Sequence, residues 1–182
     1  MCTTSSQIRM EMLSVLSFNC HGFNIGTRNY LQSLSMKFDV MLLQETWLSD
    51  ENCAQLNDIS PDYVVVHSSA MKDKLQGDYM RGRPFGGTAV LYKCNLACNV
   101  SVIKVNNARC TAVKFCSPVN RDLIVASVYM PYQNGSACND IEYECTVGHL
   151  QGLMDRNLGC DFIFGGDFNV AVSQDTIASR SL

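Results

Sequence analysis

The chain has 182 residues, is 47% hydrophobic and 17% charged, and carries a net charge of −3. That is enough for one buried core and too apolar for a disordered segment. The slightly acidic balance offers no general basic surface of the kind that grips nucleic acid non-specifically, so any such grip must come from a local patch or a metal ion.

No apolar run approaches the length of a membrane span. Residues 1–12 are polar and charged and read as a tail, ahead of one domain over 13–182. The apolar run at 13–18 is too short for a secretory signal. The ten cysteines are scattered, several of them inside apolar runs (Cys110, Cys116). Cys94 and Cys98 lack a second pair that would complete a zinc site. The cysteines read as reduced, mostly buried thiols of a nuclear or cytoplasmic protein, with a disulfide framework as the alternative.

Residues 13–19 alternate apolar and polar, the pattern of a strand with one buried face, and end in the polar loop Asn19-Cys20-His21-Gly22. Leu31, Leu34 and Phe38 recur at helical spacing, which predicts a helix over 28–37. The continuous run from Val40 to Gln44 suits a strand buried on both faces and closes on Glu45-Thr46-Trp47. Residues 50–60 are polar, with one helical turn expected. A β-branched strand follows at 63–67. Residues 68–85 read as a mobile loop carrying Lys72, Lys74, Arg81 and Arg83, with phosphate contact and a solvated loop equally compatible.

Gly86-Gly87 lead into a strand over 88–92. Two more, 100–105 and 109–115, flank Asn106-Asn107, a tight-turn signal that predicts a hairpin. The most β-prone run is Leu123 to Tyr129. Tyr143, Val147, Leu150, Met154 and Leu158 then step at helical spacing, predicting a helix over about 140–157 with Gly159 as its stop. The last apolar run, Phe162-Ile163-Phe164, reads as a buried strand with Gly165-Gly166 at its exit and Asp167-Phe168-Asn169 on the loop beyond. Many strands with a few helices between them predict an α/β sandwich of two sheets flanked by helices.

Several strand ends carry polar residues suited to metal-assisted phosphoryl chemistry: Asn19, Glu45, Tyr129, and Asp167 with Asn169. Cleaving a phosphodiester calls for a cation to neutralise the phosphate oxygens and a carboxylate to hold it. A second carboxylate takes the proton of an attacking water, oriented by a neighbouring amide or phenol. Each residue alone has a plainer explanation. Asn19 suits an Asx turn, Glu45 a loop cap, and Tyr129 a core aromatic with a wet hydroxyl. Their joint occurrence carries the argument.

The pieces Ser17-Phe18-Asn19-Cys20-His21-Gly22, Leu42-Leu43-Gln44-Glu45-Thr46-Trp47, Gly86-Gly87-Thr88-Ala89-Val90-Leu91, Ser127-Val128-Tyr129-Met130-Pro131 and Gly166-Asp167-Phe168-Asn169 stand in an order that resembles the endonuclease/exonuclease/phosphatase superfamily. The resemblance covers about residues 13–172 and is most like the apurinic-type endonuclease domain of LINE (non-LTR) retrotransposons. It implies a deoxyribonuclease I-like α/β sandwich and a Mg2+ or Mn2+ cofactor. It also implies DNA as substrate and, in relatives, fusion to a reverse transcriptase.

Carried over by position, Glu45 is similar to the metal-binding glutamate, and Asn19 to the asparagine that orders the metal and phosphate site. Tyr129 is similar to the phosphate-contacting tyrosine, Asp167 to the water-activating aspartate, and Asn169 to the asparagine that orients the water. Arg81 and Arg83 are the candidate substrate contacts. His21 stands where relatives often carry another polar residue and receives no role. Family members continue through further strands to a Ser-Asp-His-like segment. None occurs before Leu182, so the expectation is a fold lacking its C-terminal strands. An active endonuclease, a truncated inactive fragment or binding module, and a phosphoester phosphatase all stay open.

Overall fold

The computed structural model describes residues 12–71, 75–76, 79–80, 83–96, 98–118, 120–132 and 136–170. Residues 1–11 of the expected tail and the candidate contact Arg81 lie outside the described residues, as do Lys72 and Lys74.

Two four-stranded sheets face each other. The first has the order β1 (Val15–Asn19), β2 (Val40–Gln44), β6 (Thr88–Lys93), β3 (Tyr63–Ser68). The second has the order β10 (Asp161–Asp167), β9 (Leu123–Tyr129), β8 (Cys110–Cys116), β7 (Asn99–Ile103). β1 runs parallel to β2, and β10 parallel to β9; the other pairings within these sheets are antiparallel. Helix α1 (Ile25–Leu34) connects β1 to β2, and α2 (Ala137–Asp155) connects β9 to β10. Each sheet thus ends in a β-α-β unit at one edge, and the two units lie side by side.

Strand period explains the layers. Along β2, Val40 and Leu42 point between the sheets, where they meet Val90, Val113, Phe115 and Val125. Met41 and Leu43 point outward onto Leu31 of α1 and onto Leu56 and Ile59 of a 3-10 helix, Cys53–Ile59. Both faces are covered, so β2 is buried throughout; it is apolar from Val40 to Leu43, and its last residue, Gln44, is buried with its amide hydrogen-bonded. On the far side, α2 lays Tyr143, Val147, Leu150 and Leu153 over Ile124, Ala126 and Val128. The architecture is therefore helix, sheet, sheet, helix, as the sequence predicts.

Several boundaries differ from the sequence reading. Helix α1 starts at Ile25 because Asn24 caps it, its Oδ1 accepting from the backbone of Gly26 and Thr27. Phe38 lies beyond this helix but packs on the same core. In α2 it is Leu153 that is fully buried, while Met154 is largely exposed and Leu158 lies past the helix end. The hairpin of β7 and β8 forms, but residues 104–109 make it a longer loop than a tight turn. Asn107 holds that loop, accepting from Arg109 N at 2.9 Å and donating to Thr146 Oγ1 at 3.3 Å. Within the region read as loop, β4 (Leu75–Gln76) and β5 (Tyr79–Met80) pair antiparallel.

The largest revision concerns Gly165 and Gly166. They lie inside β10, paired with Ser127 and Val128 of β9, and Asp167 is the last residue of the strand. A Cβ on Gly165 would meet Leu42 Cδ1 at 2.6 Å, so this glycine allows the two sheets to approach. A Cβ on Gly166 would meet the Val128 carbonyl oxygen at 1.8 Å. Both glycines serve close packing, against a side chain at Gly165 and against backbone at Gly166, rather than a turn.

Among the described residues β1 and β10 are edge strands, as are β3 and β7 on the other sides of the two sheets. Ile163 shares a strand face with Gly165, toward the other sheet, yet is 37% exposed.

Candidate functional site

Asn19, Glu45, Tyr129 and Asp167 stand at, or one residue past, the ends of β1, β2, β9 and β10. Both parallel pairs finish in register, Asn19 beside Gln44 and Asp167 beside Tyr129. The sheets pack face to face, so these ends converge. Asn19 sits at the centre: its Nδ2 donates to Glu45 Oε1 at 2.8 Å and to Asp167 Oδ2 at 2.9 Å. One carboxamide from the first sheet thereby joins a carboxylate of each sheet.

The loops after β1 and β2 continue side by side. The N–H groups of Cys20, Gly22 and Phe23 donate to the carbonyls of Gln44, Glu45 and Thr46. The second loop is held from the other side by Gly86 and Gly87, whose carbonyls accept from Trp47 and Thr46. The non-glycine residues with positive φ among the described residues are His21 (46°), Glu45 (49°), Trp47 (56°) and Asn169 (49°), all at this rim. Left-handed backbone at such residues is kept only where the surroundings over-determine it. Below the rim, a buried polar layer fixes the two sheets. Gln44 Nε2 donates to Ser127 Oγ at 2.9 Å, Ser127 Oγ donates to the Leu43 carbonyl at 2.7 Å, and Thr88 and Thr111 share a hydroxyl contact of 2.7 Å.

Glu45 is mostly buried, its side chain 15% exposed. It accepts from Asn19 and, at 3.2 Å, from Trp47 Nε1. A carboxylate offers about four lone-pair positions, so room remains for a further partner. Asp167 accepts from Asn19 and, at 3.0 Å, from the backbone N–H of Asn169. Asn169 spends one amide hydrogen on the Met130 carbonyl at 2.7 Å, and among the described residues its Oδ1 and second hydrogen have no further partner. Burial pushes the Tyr129 phenol up from its usual range. The charges of Glu45 and Asp167 add to the rise and Arg109 opposes it, so the phenol stays a donor at neutral pH. Burial, then Glu45, pushes the Cys20 thiol to about 12, which marks it as structural.

The sequence reading passed over Arg109. It precedes β8, and its carbonyl accepts from Tyr129 N at 2.9 Å. Its guanidinium lies 5.1 Å from the Tyr129 ring centroid and pairs with Glu142 at 2.7 Å. The available signal was register: Cys110 pairs with Val128, which sets Arg109 opposite Tyr129. Arg83 is exposed on the loop before β6, and among the described residues no contact joins it to the cluster. Trp47 and His21 were visible as motif residues but not as partners of Glu45.

Among the described residues no group of three or more His, Cys, Asp and Glu side chains forms a metal cage. The donors at hand, Glu45 first, are hard oxygens with free lone pairs. That set fits a cation such as Mg2+, which uses one or two carboxylates and keeps its waters.

The sequence model described as the Endonuclease/Exonuclease/phosphatase family matches residues 16–181. The chain belongs to the endonuclease/exonuclease/phosphatase family. Similar solved structures include the catalytic domain of Xenopus laevis APE2, with a TM-score of 0.62 and 18% identity over 87% of this chain and 59% of that one. The endonuclease domain of TRAS1, a telomere-specific non-LTR retrotransposon, gives 0.59 and 16% over 88% and 62%. The Neisseria 3' phosphatase NExo, bound to product DNA hairpin, gives 0.60 and 14% over 90% and 60%. At these identities the likeness establishes the fold. This member of the endonuclease/exonuclease/phosphatase family spans about 60% of the length of such structures. No curated protein sequence matches the chain.

Proposed function

We propose that this chain carries the cation-binding and water-activating part of a phosphodiester hydrolase, a DNA endonuclease of the retrotransposon type. One observation carries the reading: Glu45 and Asp167, from different sheets, meet on the single carboxamide of Asn19. Two carboxylates so placed divide the work. Glu45, with its remaining lone pair, is the ligand for a Mg2+ or Mn2+ ion, with Asn19 ordering it. When bound, such an ion supplies Lewis-acid neutralisation of phosphate charge.

Asp167 takes the proton of the attacking water through the lone pairs that Asn19 and Asn169 leave free. The free Oδ1 or N–H of Asn169 orients that water. Tyr129, kept protonated, donates to a phosphate oxygen, and Arg109 and Arg83 supply positive charge for flanking phosphates. The motif order supports the retrotransposon type, and with it fusion to a reverse transcriptase. The described cysteines are free thiols, which supports a nuclear or cytoplasmic setting.

The test is nicking of supercoiled plasmid with Mg2+ or with EDTA. The expected result is Mg2+-dependent nicking that falls by about 10²–10³ in Asp167→Ala and in Glu45→Gln, the scale of removing one positioned electrostatic group. Nicking that survives EDTA or Asp167→Ala sinks the proposal. Among the described residues β1 and β10 have no strand on their outer sides and Ile163 is about one-third exposed, which favours a second reading: a binding module of this fold without turnover. A folded sample that binds DNA but never nicks it would select that reading.

A further inference from the structure

His21 has no part in the scheme above, yet the structure invests in its placement. Its backbone is left-handed, at φ 46°. Asn19 Oδ1 holds it there by accepting from His21 N at 2.9 Å, and the next residue is tied through Gly22 N to the Glu45 carbonyl at 2.9 Å. The imidazole rests against the Trp47 indole, centroids 4.9 Å apart. The indole lies there, tilted against the imidazole, because residue 22 is glycine: a Cβ would meet the indole at 2.6 Å. The same indole donates through Nε1 to Glu45 Oε2.

Trp47 therefore sets both the ring of His21 and the carboxylate of Glu45. His21 Nδ1 stands 3.8 Å from Glu45 Oε2, too long for a hydrogen bond. Asn19 donates to Glu45 Oε1 and Trp47 to Oε2, which leaves Oε2 lone-pair room for a cation. Two ligands of one small cation stand roughly 3 Å or a little more apart. The His21 side chain is 82% exposed, so its ring is free to close that difference.

We propose that His21 is a nitrogen ligand of the cation held by Glu45, and that the pair biases the site toward a first-row transition-metal ion over Mg2+. The proposal rests on the assignment of Glu45 as cation ligand. Mg2+ takes oxygen ligands, whereas imidazole favours the transition ions. A mixed carboxylate and imidazole pair at this rim is the donor set that separates the two classes.

Mn2+ titrated into the metal-free full chain, read by electron paramagnetic resonance with spin-echo detection, tests this directly. Mn2+ is the chosen probe because free thiols compete poorly for it. The bound ion is expected to show modulation from a directly bound nitrogen. That modulation disappears in His21→Ala and persists in His149→Ala. Mn2+ affinity falls about tenfold or more in His21→Ala, at least the cost of losing an outer partner of a metal ligand. Mg2+ affinity, read by competition, stays unchanged.

Bound Mn2+ without nitrogen modulation, or modulation that survives His21→Ala, overturns the proposal. Glu45→Gln separates the layers of the argument. Mn2+ that lacks nitrogen modulation but is lost in Glu45→Gln removes His21 alone. Binding indifferent to Glu45→Gln, or no binding at all, removes both assignments.

Discussion

Asn19 and Asp167 lie 148 positions apart and share a hydrogen bond of 2.9 Å, while the second hydrogen of the same amide serves Glu45 at 2.8 Å. The carboxamide neutralises part of the repulsion between two carboxylates that would otherwise face each other. Asn19→Ala removes both bonds. It should cost roughly 1–3 kcal/mol of stability, the range for charged groups that lose a donor. Adding a divalent cation should restore part of the loss. Thermal melts of the variant in EDTA and in Mg2+ check this. Equal stability of variant and wild type in EDTA would show that water already separates the charges.

The paired glycines of β10 should differ in tolerance. At Gly166 an added Cβ meets backbone, the Val128 carbonyl oxygen, at 1.8 Å. At Gly165 it meets the end of a side chain, Leu42 Cδ1, at 2.6 Å. Backbone in a paired strand has nowhere to go, while a leucine repacks. Gly166→Ala should therefore cost more than about 3 kcal/mol and Gly165→Ala about 1–3 kcal/mol in urea unfolding. The reverse order would contradict this account of the sheet spacing.

At the opposite end of the first sheet, Asp39 accepts from Ser14 Oγ at 2.6 Å and Ser14 N at 3.0 Å, and pairs with Lys93 at 3.2 Å. Burial alone would raise its pKa. The Ser14 hydrogen bonds and the Lys93 ammonium outweigh that, and the carboxyl sits below its usual range. A lowered folded pKa contributes stability above the unfolded value, about 3.9, and loses it as pH falls through the folded value. Asp39→Asn should be less stable than wild type at pH 7 by roughly 1–3 kcal/mol. The gap should shrink as pH drops below about 4. A gap that stays constant down to pH 2 would exclude this linkage.

Ser127 is fully buried, accepting from Gln44 Nε2 and donating to the Leu43 carbonyl. Ser127→Ala leaves one Gln44 hydrogen without its partner and removes the bond to the Leu43 carbonyl between the sheets. A loss of about 1–3 kcal/mol is expected in denaturant unfolding. Ser127→Thr, which keeps the hydroxyl but adds a methyl at a fully buried position, should lose stability by crowding instead. Double-mutant cycles with Gln44→Leu should show coupling for the alanine variant.

The sequence by itself determined the layers. An uninterrupted apolar β2 demands cover on both faces, and Tyr143, Val147 and Leu150 demand a helix lying on a sheet. It also marked Asn19, Glu45, Tyr129, Asp167 and Asn169, because polar residues that close apolar strands collect at the rim of a sheet. Local chemistry of this kind is written in spacing.

Pairing between distant segments is not. That β6 inserts between β2 and β3, that Arg109 lies over Tyr129, and that Trp47 serves Glu45 and His21 together all depend on strand register and sheet order. The glycines at 165 and 166 misled for the same reason. Read locally they suggest a turn, but the groups they admit, the Leu42 side chain across the interface and the Val128 backbone alongside, come from elsewhere in the chain. The tertiary structure alone decided that the carboxylates of two sheets would share one asparagine, because only packing the sheets face to face brings their ends within hydrogen-bonding distance.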